Sequence, residues 1–274
     1  SKKSGGLTRM HLRFGKNPIR STYLVNNPHF VSCSTDAYLT KYDMLKGLRD
    51  GGTFLLNTVH GIDEIEAKLP NKVKRQLAQR HAKFYIINAI KLAQEDCGFR
   101  PGLGVNTIMQ SAFFKLNEQI MPYDVAQKLM KKYAEKAYAK KGQALVEQNW
   151  KAIDVGATGL VEVPVNPDWA NLADDEVVAK ANRPEFVSKI CDVIAASEGD
   201  SLPVSAFAKW NDGKMENGTA AYEKRGTANY VPVWDSSKCI QCNQCVFVCP
   251  HAVIRPFLLT EEEKANAPES MKMV

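Results

Sequence analysis

The chain has 274 residues, 45% of them hydrophobic and 24% charged. That is ordinary globular composition, which excludes a disordered, collagenous or coiled-coil protein and leaves length for one to two domains. No stretch reaches the roughly 18 uninterrupted apolar residues of a membrane span. The opening Ser1-Lys2-Lys3-Ser4-Gly5-Gly6 also lacks the apolar core of a signal peptide, so the expectation is a soluble, cytoplasmic protein without a membrane partner. Thirty-six Lys and Arg against thirty Asp and Glu give +6. Read as an excess spread along the chain, this argues against a nucleic-acid partner and suits an anionic cofactor or an acidic redox partner.

In chain order, apolar β-rich runs at 21–25, 30–33, 53–59 and 83–87 alternate with turns or helical periodicity, an α/β pattern. Asp50-Gly51-Gly52 delivers the chain into the third run, and Pro70-Asn71 ends one helix and opens another that runs toward His81. A helix over 86–96 closes on Gly98, placed for a left-handed cap. Helices follow at 107–119, 123–140 and 142–155. In the middle one Val125, Leu129, Tyr133 and Ala137 recur every fourth residue, while Lys128, Lys131, Lys132, Lys136 and Lys140 make a solvated basic face. Val163-Pro164-Val165-Asn166-Pro167 reads as a linker, and short helical pieces and loops continue to Trp234.

Four of the seven cysteines stand within eleven residues, as Cys239-x-x-Cys242-x-x-Cys245-x-x-x-Cys249-Pro250, whereas Cys33, Cys97 and Cys191 stand singly. An odd count with a thiol cluster points to metal binding rather than a disulfide framework. Two-residue spacing lets three sulfurs converge on three corners of an iron-sulfur cube. In the bacterial ferredoxin pattern the fourth Cys, set before a Pro, ligates the other cube of a pair. Cys239, Cys242 and Cys245 are therefore assigned to one 4Fe-4S cluster and Cys249 to a second. Structural zinc separates its two Cys-x-x-Cys knuckles by about a dozen residues or more.

Two such cubes need eight thiolates; the run supplies four, and residues 252–274 hold no cysteine. The chain is accordingly expected to have been cut from a longer polypeptide whose later part carries the complementary ligands. The flanking Val246-Phe247-Val248 and Ala252-Val253-Ile254 are expected to form a dry shell. Cys33, Cys97 and Cys191 fit buried, inert thiols, and His251 a surface or supporting residue.

Other candidates are weaker. Lys2, Lys3 and Ser4, with Gly5-Gly6, offer ammonium groups and backbone N–H donors to a phosphate. Gly102-Leu103-Gly104-Val105-Asn106-Thr107 imitates a dinucleotide fingerprint, but no strand delivers it and Thr replaces the third glycine; Asn106 or Thr107 is read as a helix N-cap. Arg13 and Arg20 are read as structural ion-pairing residues, and His60 as having no carboxylate or nucleophile recognisable beside it. No side chain is assigned catalytic acid-base work.

Several blocks, in this order, resemble the pyruvate:ferredoxin (flavodoxin) oxidoreductases: Lys2-Lys3-Ser4-Gly5-Gly6-Leu7-Thr8, His11-Leu12-Arg13-Phe14-Gly15, Pro18-Ile19-Arg20-Ser21, Asn57-Thr58-Val59, Tyr222-Glu223-Lys224-Arg225-Gly226 and Val233-Trp234-Asp235 ahead of the cysteines. These are multidomain 2-oxoacid oxidoreductases that use thiamine diphosphate, coenzyme A and 4Fe-4S clusters. The resemblance implies an internal fragment of α/β class. Residues 1–163 would be a Rossmann-like gamma domain without its first strand and glycine-rich turn, 166–234 a small α+β domain named for its Glu-Lys-Arg motif, and 235–274 a partial bacterial-ferredoxin-like iron-sulfur domain.

It also implies coenzyme A as a substrate met by Lys2, Lys3 and Ser4, and ferredoxin or flavodoxin as electron acceptor. The remaining domains of the same polypeptide would be partners and the whole enzyme a homodimer in anaerobic pyruvate metabolism. Thiamine diphosphate and magnesium would be bound outside this segment, because it has no Gly-Asp-Gly motif; Gly199-Asp200-Ser201 fails at its third residue. The segment alone is then expected to be inactive, contributing coenzyme A contacts and electron relay. The alternatives are a free-standing ferredoxin-like electron-transfer subunit and a zinc-stabilised interaction module.

Overall fold

Strand β2 (Thr53–Asn57) explains the architecture, because Phe54, Leu55 and Leu56 are all fully buried. Successive strand residues face opposite ways, so a run that is apolar throughout needs cover on both faces. A computed structural model, which describes residues 7–20, 22–175, 182–223, 231–269 and 271–273, shows that cover. β2 lies between β1 (Phe30–Cys33) and β3 (Lys83–Ile87), both parallel to it, and β4 (Val161–Val163) runs antiparallel to β3. Phe54 and Leu56 face one core, with Phe84 and Ile86 of β3 beside them and Leu39, Leu45, Leu48, Ile65, Val73 and Leu77 packed against them. Phe54 stacks on its register partner Phe84 at 5.6 Å. Leu55 and Ile87 face the second core with Ala89, Ala93, Ile108, Ala112 and Ala152.

Helices α1 (Ile62–Lys68) and α2 (Asn71–Gln79) connect β2 to β3 and cover the first face. After β3 come α3 (Ala89–Lys91), a π turn at Leu92–Asp96, and the long helices α4 (Val105–Leu116), α5 (Tyr123–Tyr138) and α6 (Gln143–Thr158). Gly156 lets α4 and α6 touch: a Cβ there would sit 2.5 Å from the Ile108 carbonyl oxygen. Gly98 takes the expected left-handed conformation, φ 71°. No helix among the described residues is long and apolar enough to cross a membrane.

Three expectations are corrected. Thr22–Val25 is not a strand. β propensity needs a ladder neighbour; here the Val25 N–H donates to His11 Nδ1 at 3.0 Å instead. The segment read as a linker begins in β4, and Val163, Val165, Trp169 and Leu172 belong to the first core; Arg75 of α2 donates to the Leu172 carbonyl at 2.7 Å. Helix α4 is capped not by Asn106 or Thr107 but by Gly104 at φ 79°, where a Cβ would fall 2.4 Å from the Phe99 ring.

Beyond the first core, described residues 182–223 form short turns and α7 (Asp192–Ala195), as expected. Phe186, Val187 and Ile190 are buried there, and Phe186 meets Trp210 edge-on at 4.9 Å. The chain divides into two compact units, residues 1–227 and 228–274. In the second, a turn at Ser236–Lys238 precedes α8 (Gln244–Val248), and α9 (Glu261–Ala265) opens on a Thr260–Glu263 capping box.

Candidate metal centre

The cysteine run is laid out by backbone conformation. Asp235 caps the Ser236–Lys238 turn, its carboxylate accepting from the Ser237 N–H at 3.1 Å, and Cys239 follows directly. Gln241 and Asn243, one in each two-residue spacer between cysteines, both adopt φ 57°, and Ala252 after the run adopts φ 51°. A left-handed non-glycine residue costs on the order of 1–3 kcal/mol and persists where something else fixes the chain. Here the surrounding residues are mostly exposed, so the protein alone supplies little to hold the coil. Cys245 then falls in the first turn of α8, and Cys249 lies just past its end.

All four thiols are free; Cys242 and Cys245 are exposed, Cys239 and Cys249 half-buried. Backbone N–H groups of Val253, His251 and Ile254 beside the Cys249 sulfur hold its pKa below the ordinary thiol value, while the Ala252 N–H donates to the Cys249 carbonyl at 3.2 Å. Such donors favour thiolate and are the contacts that tune an iron-sulfur ligand. His251 thus serves through its backbone N–H, a role the sequence does not reveal. Among the described residues no three His, Cys, Asp or Glu side chains gather closely enough for one metal ion. Soft thiol donors, coiled spacers and N–H groups turned to sulfur together fit a 4Fe-4S cluster.

The expected dry shell is not there. Phe247 is 86% exposed, Val248 and Val253 76% each, because this short segment has nothing of its own to fold over them.

The single cysteines belong to the first unit. Cys33 is buried in β1, its thiol donating to the Thr35 carbonyl at 3.0 Å, and burial pushes its pKa up to about 11. Burial also raises Cys97, which ends the π turn after α3, and the half-buried Cys191. His60 does have carboxylates beside it: Glu64 Oε2 at 3.3 Å and Asp36 Oδ2 at 3.9 Å, the latter also accepting from the Thr58 hydroxyl at 3.0 Å. Glu64, four residues on in a helix, was readable; Asp36 arrives only through the pairing of β1 with β2. Among the described residues Arg13 pairs with no acid; its guanidinium lies 3.8 Å from the Tyr23 ring centre and donates to the Tyr23 carbonyl. Lys2, Lys3, Ser4 and the Lys224-Arg225 pair lie outside the described residues.

A parallel-centred α/β sheet joined in one chain to a thiol loop of this kind places the chain among iron-sulfur proteins. Residues 1–159 match the family described as pyruvate ferredoxin/flavodoxin oxidoreductase, and the chain belongs to it. Residues 173–228 match a domain of unknown function, and 231–254, which include all four clustered cysteines, match a 4Fe-4S binding domain. The pyruvate-flavodoxin oxidoreductase of Enterobacter agglomerans is 50% identical over 98% of this chain and 22% of its own length. The pyruvate:ferredoxin oxidoreductase of Moorella thermoacetica is 43% identical over 98% and 22%. The pyruvate dehydrogenase [NADP(+)] of Cryptosporidium parvum is 40% identical over 99% and 15%. The chain thus spans about a fifth of the length of the first two of these relatives.

Proposed function

We propose that this chain is the cluster-bearing and coenzyme A-side segment of an enzyme that oxidatively decarboxylates pyruvate in a coenzyme A-dependent reaction and passes the electrons to ferredoxin or flavodoxin. The observation that carries the reading is the joining, in one chain, of the family match over 1–159 to the 4Fe-4S match over 231–254. In this reading residues 1–163, 166–234 and 235–274 are the three domains, and the whole enzyme is a cytoplasmic homodimer. Thiamine diphosphate and magnesium bind in its other domains.

Cys239, Cys242 and Cys245 hold one cluster and Cys249 a second. A bound 4Fe-4S cluster supplies a site that accepts and releases single electrons. The chain's own part is to present thiolates: the left-handed Gln241 and Asn243 coil the loop, and the N–H groups of His251, Val253 and Ile254 spread the negative charge at the Cys249 sulfur. Lys2, Lys3 and Ser4 meet a phosphate of coenzyme A through ammonium and N–H groups. Relatives named for flavodoxin, ferredoxin and NADP(+) match this stretch at 40–50% identity, which supports placing the choice of acceptor elsewhere in the protein.

The test is pyruvate- and coenzyme A-dependent reduction of flavodoxin by the full-length protein purified without air. Activity is expected together with bound iron and sulfide. Cys242→Ser should lower flavodoxin reduction and bound iron together, and the Lys2→Ala/Lys3→Ala variant should raise the KM for coenzyme A. A protein that assembles no iron and sulfide rejects the electron-relay reading; an unchanged KM rejects the coenzyme A contacts.

A further inference from the structure

Residues 173–228, matched to a domain of unknown function, run up to the boundary of the first unit at residue 227. Described residues 211–223, the last before that boundary, are mostly exposed, with Thr219 and Tyr222 partly covered. Burial of apolar surface therefore does little to fix them.

Arg183 reaches them. It stands outside the helical segment that follows it, because Asn182 takes a left-handed φ of 55° and Pro184 disfavours helical backbone in the residue before it. The π turn Val187–Cys191 carries one extra residue, which rotates α7 by roughly 100° relative to a regular helix. Asp192, the first residue of α7, meets the guanidinium there, its Oδ1 accepting at 2.5 Å. The same nitrogen donates to the Tyr222 carbonyl at 3.3 Å, and the guanidinium carbon lies 5.2 Å from the Tyr222 ring centre. The Arg183 side chain is only 13% exposed, and its Nε–H is buried and, among the described residues, without a partner. A guanidinium held that dry with a donor unpaired costs stability, so what it achieves is the placement of the segments it joins. Lysine is no substitute, because only a planar guanidinium donates along its edge while it stacks on a ring.

The contact spans 39 positions, so residues 183–222 form a closed loop whose two ends meet. Within it Phe186 packs on Trp210, and Lys46 of the α/β part donates to Glu198 at 2.6 Å. The loop is thus tied to the body of the first unit, and Tyr222 with it. We propose that Arg183 is the latch by which this domain fixes the point where the chain leaves the first unit for the cysteine run, and that electron relay in the full-length enzyme depends on it. Arg183 is a positioning residue that acts through Tyr222. Transfer between redox centres falls steeply with their separation, so the path of the chain ahead of Cys239 bears on the rate. A bound anion is a poorer account of the same residue, because the Asp192 carboxylate already neutralises the guanidinium. The relay half rests on the function proposed above; the latch does not, so the two fail separately.

The experiment compares four variants of the full-length protein purified without air: Arg183→Met, Tyr222→Ala, the double variant and Tyr222→Phe. Deuterium exchange of the amides of 219–223 should quicken at least about tenfold in Arg183→Met and Tyr222→Ala alike, with no further gain in the double variant, because the two residues make one contact. Tyr222→Phe keeps ring and carbonyl and should match the wild type. In Tyr222→Ala the amides of 187–191 should stay protected, since Asp192 keeps its partner. The same variant should lower kcat for flavodoxin reduction at least about threefold, with bound iron and the KM for pyruvate unchanged. Unchanged exchange at 219–223 in Tyr222→Ala, additive gains in the double variant, or loss of protection at 187–191 in Tyr222→Ala overturns the latch. Faster exchange at 219–223 with kcat unchanged, or a kcat loss that tracks a loss of iron, overturns its part in the relay.

Discussion

Two regions of this chain use apolar residues in opposite ways. Around β2 the chain returns on itself from both sides, and Phe54, Leu55 and Leu56 lose all contact with water. In residues 231–273 the composition is also rich in apolar side chains, yet none of the described residues is buried, and Ile240, Phe247 and Leu258 are among the most exposed in the protein. Hydrophobic residues organise a chain only where there is enough chain to close over them. The second region instead carries thiols at fixed spacing and three left-handed residues that its own packing does not enforce. Its order belongs with ligand binding, because a site that does not exist in the unfolded chain converts binding free energy into folding free energy.

The largest expected effect breaks this comparison directly. In protein prepared without iron and sulfide, or with Cys239, Cys242, Cys245 and Cys249 all changed to Ser, the amides of 231–254 should exchange with deuterium near the rate of an unfolded peptide. The strands at 53–57 and 83–87 should stay protected in the same sample. Retained protection at 231–254 without iron would show that the segment folds by packing after all. A smaller effect sharpens the other side: Phe54→Ala removes a fully buried ring stacked on Phe84 and should cost about 3–5 kcal/mol, read from the urea midpoint. Phe247→Ala, at an 86% exposed position, should shift stability of the iron-free protein by less than about 0.5 kcal/mol.

The parts legible in the sequence were those set by local pattern. The uninterrupted Phe54-Leu55-Leu56 run announces a strand covered on both faces, Gly98 announces a helix end, and the Cys-x-x-Cys-x-x-Cys spacing announces the cluster. What stayed hidden depends on partners far along the chain. β4 is three residues long with only Val163 buried, and its neighbouring prolines read as a connection; pairing with β3 makes it a strand. Thr22–Val25 has strand-like residues and no ladder, so it is none. Gln and Ala have no left-handed preference, so Gln241 and Ala252 gave no sign of the coil they complete. The charge was legible and misread as spread along the chain: Lys2, Lys3, Arg9, Arg13, Lys16 and Arg20 all precede the first acidic residue, Asp36, and a sum over the whole chain erases that.

Residues 182–223 fall between the two extremes, and an acid titration measures how far. Their apolar centre is small, Phe186, Val187, Ile190 and Trp210, and Glu185 ties its two sides by accepting from Lys189 at 2.7 Å and Lys209 at 2.5 Å. Those hydrogen bonds lower the Glu185 pKa to about 2, against 4.5 for the free side chain. A carboxyl lowered on folding stabilises fully above its unfolded value, and the gain is lost as pH falls through the folded one. The amides of 187–191 should therefore lose protection between about pH 4.5 and about pH 2, beyond the intrinsic pH dependence of exchange. The Glu185→Gln variant should lack this step. Because the pair is exposed, 1 M salt should flatten it in the wild type. A step of equal size in the variant would assign the acid sensitivity to another group, and this small centre would then stand on its apolar contacts as the sheet does.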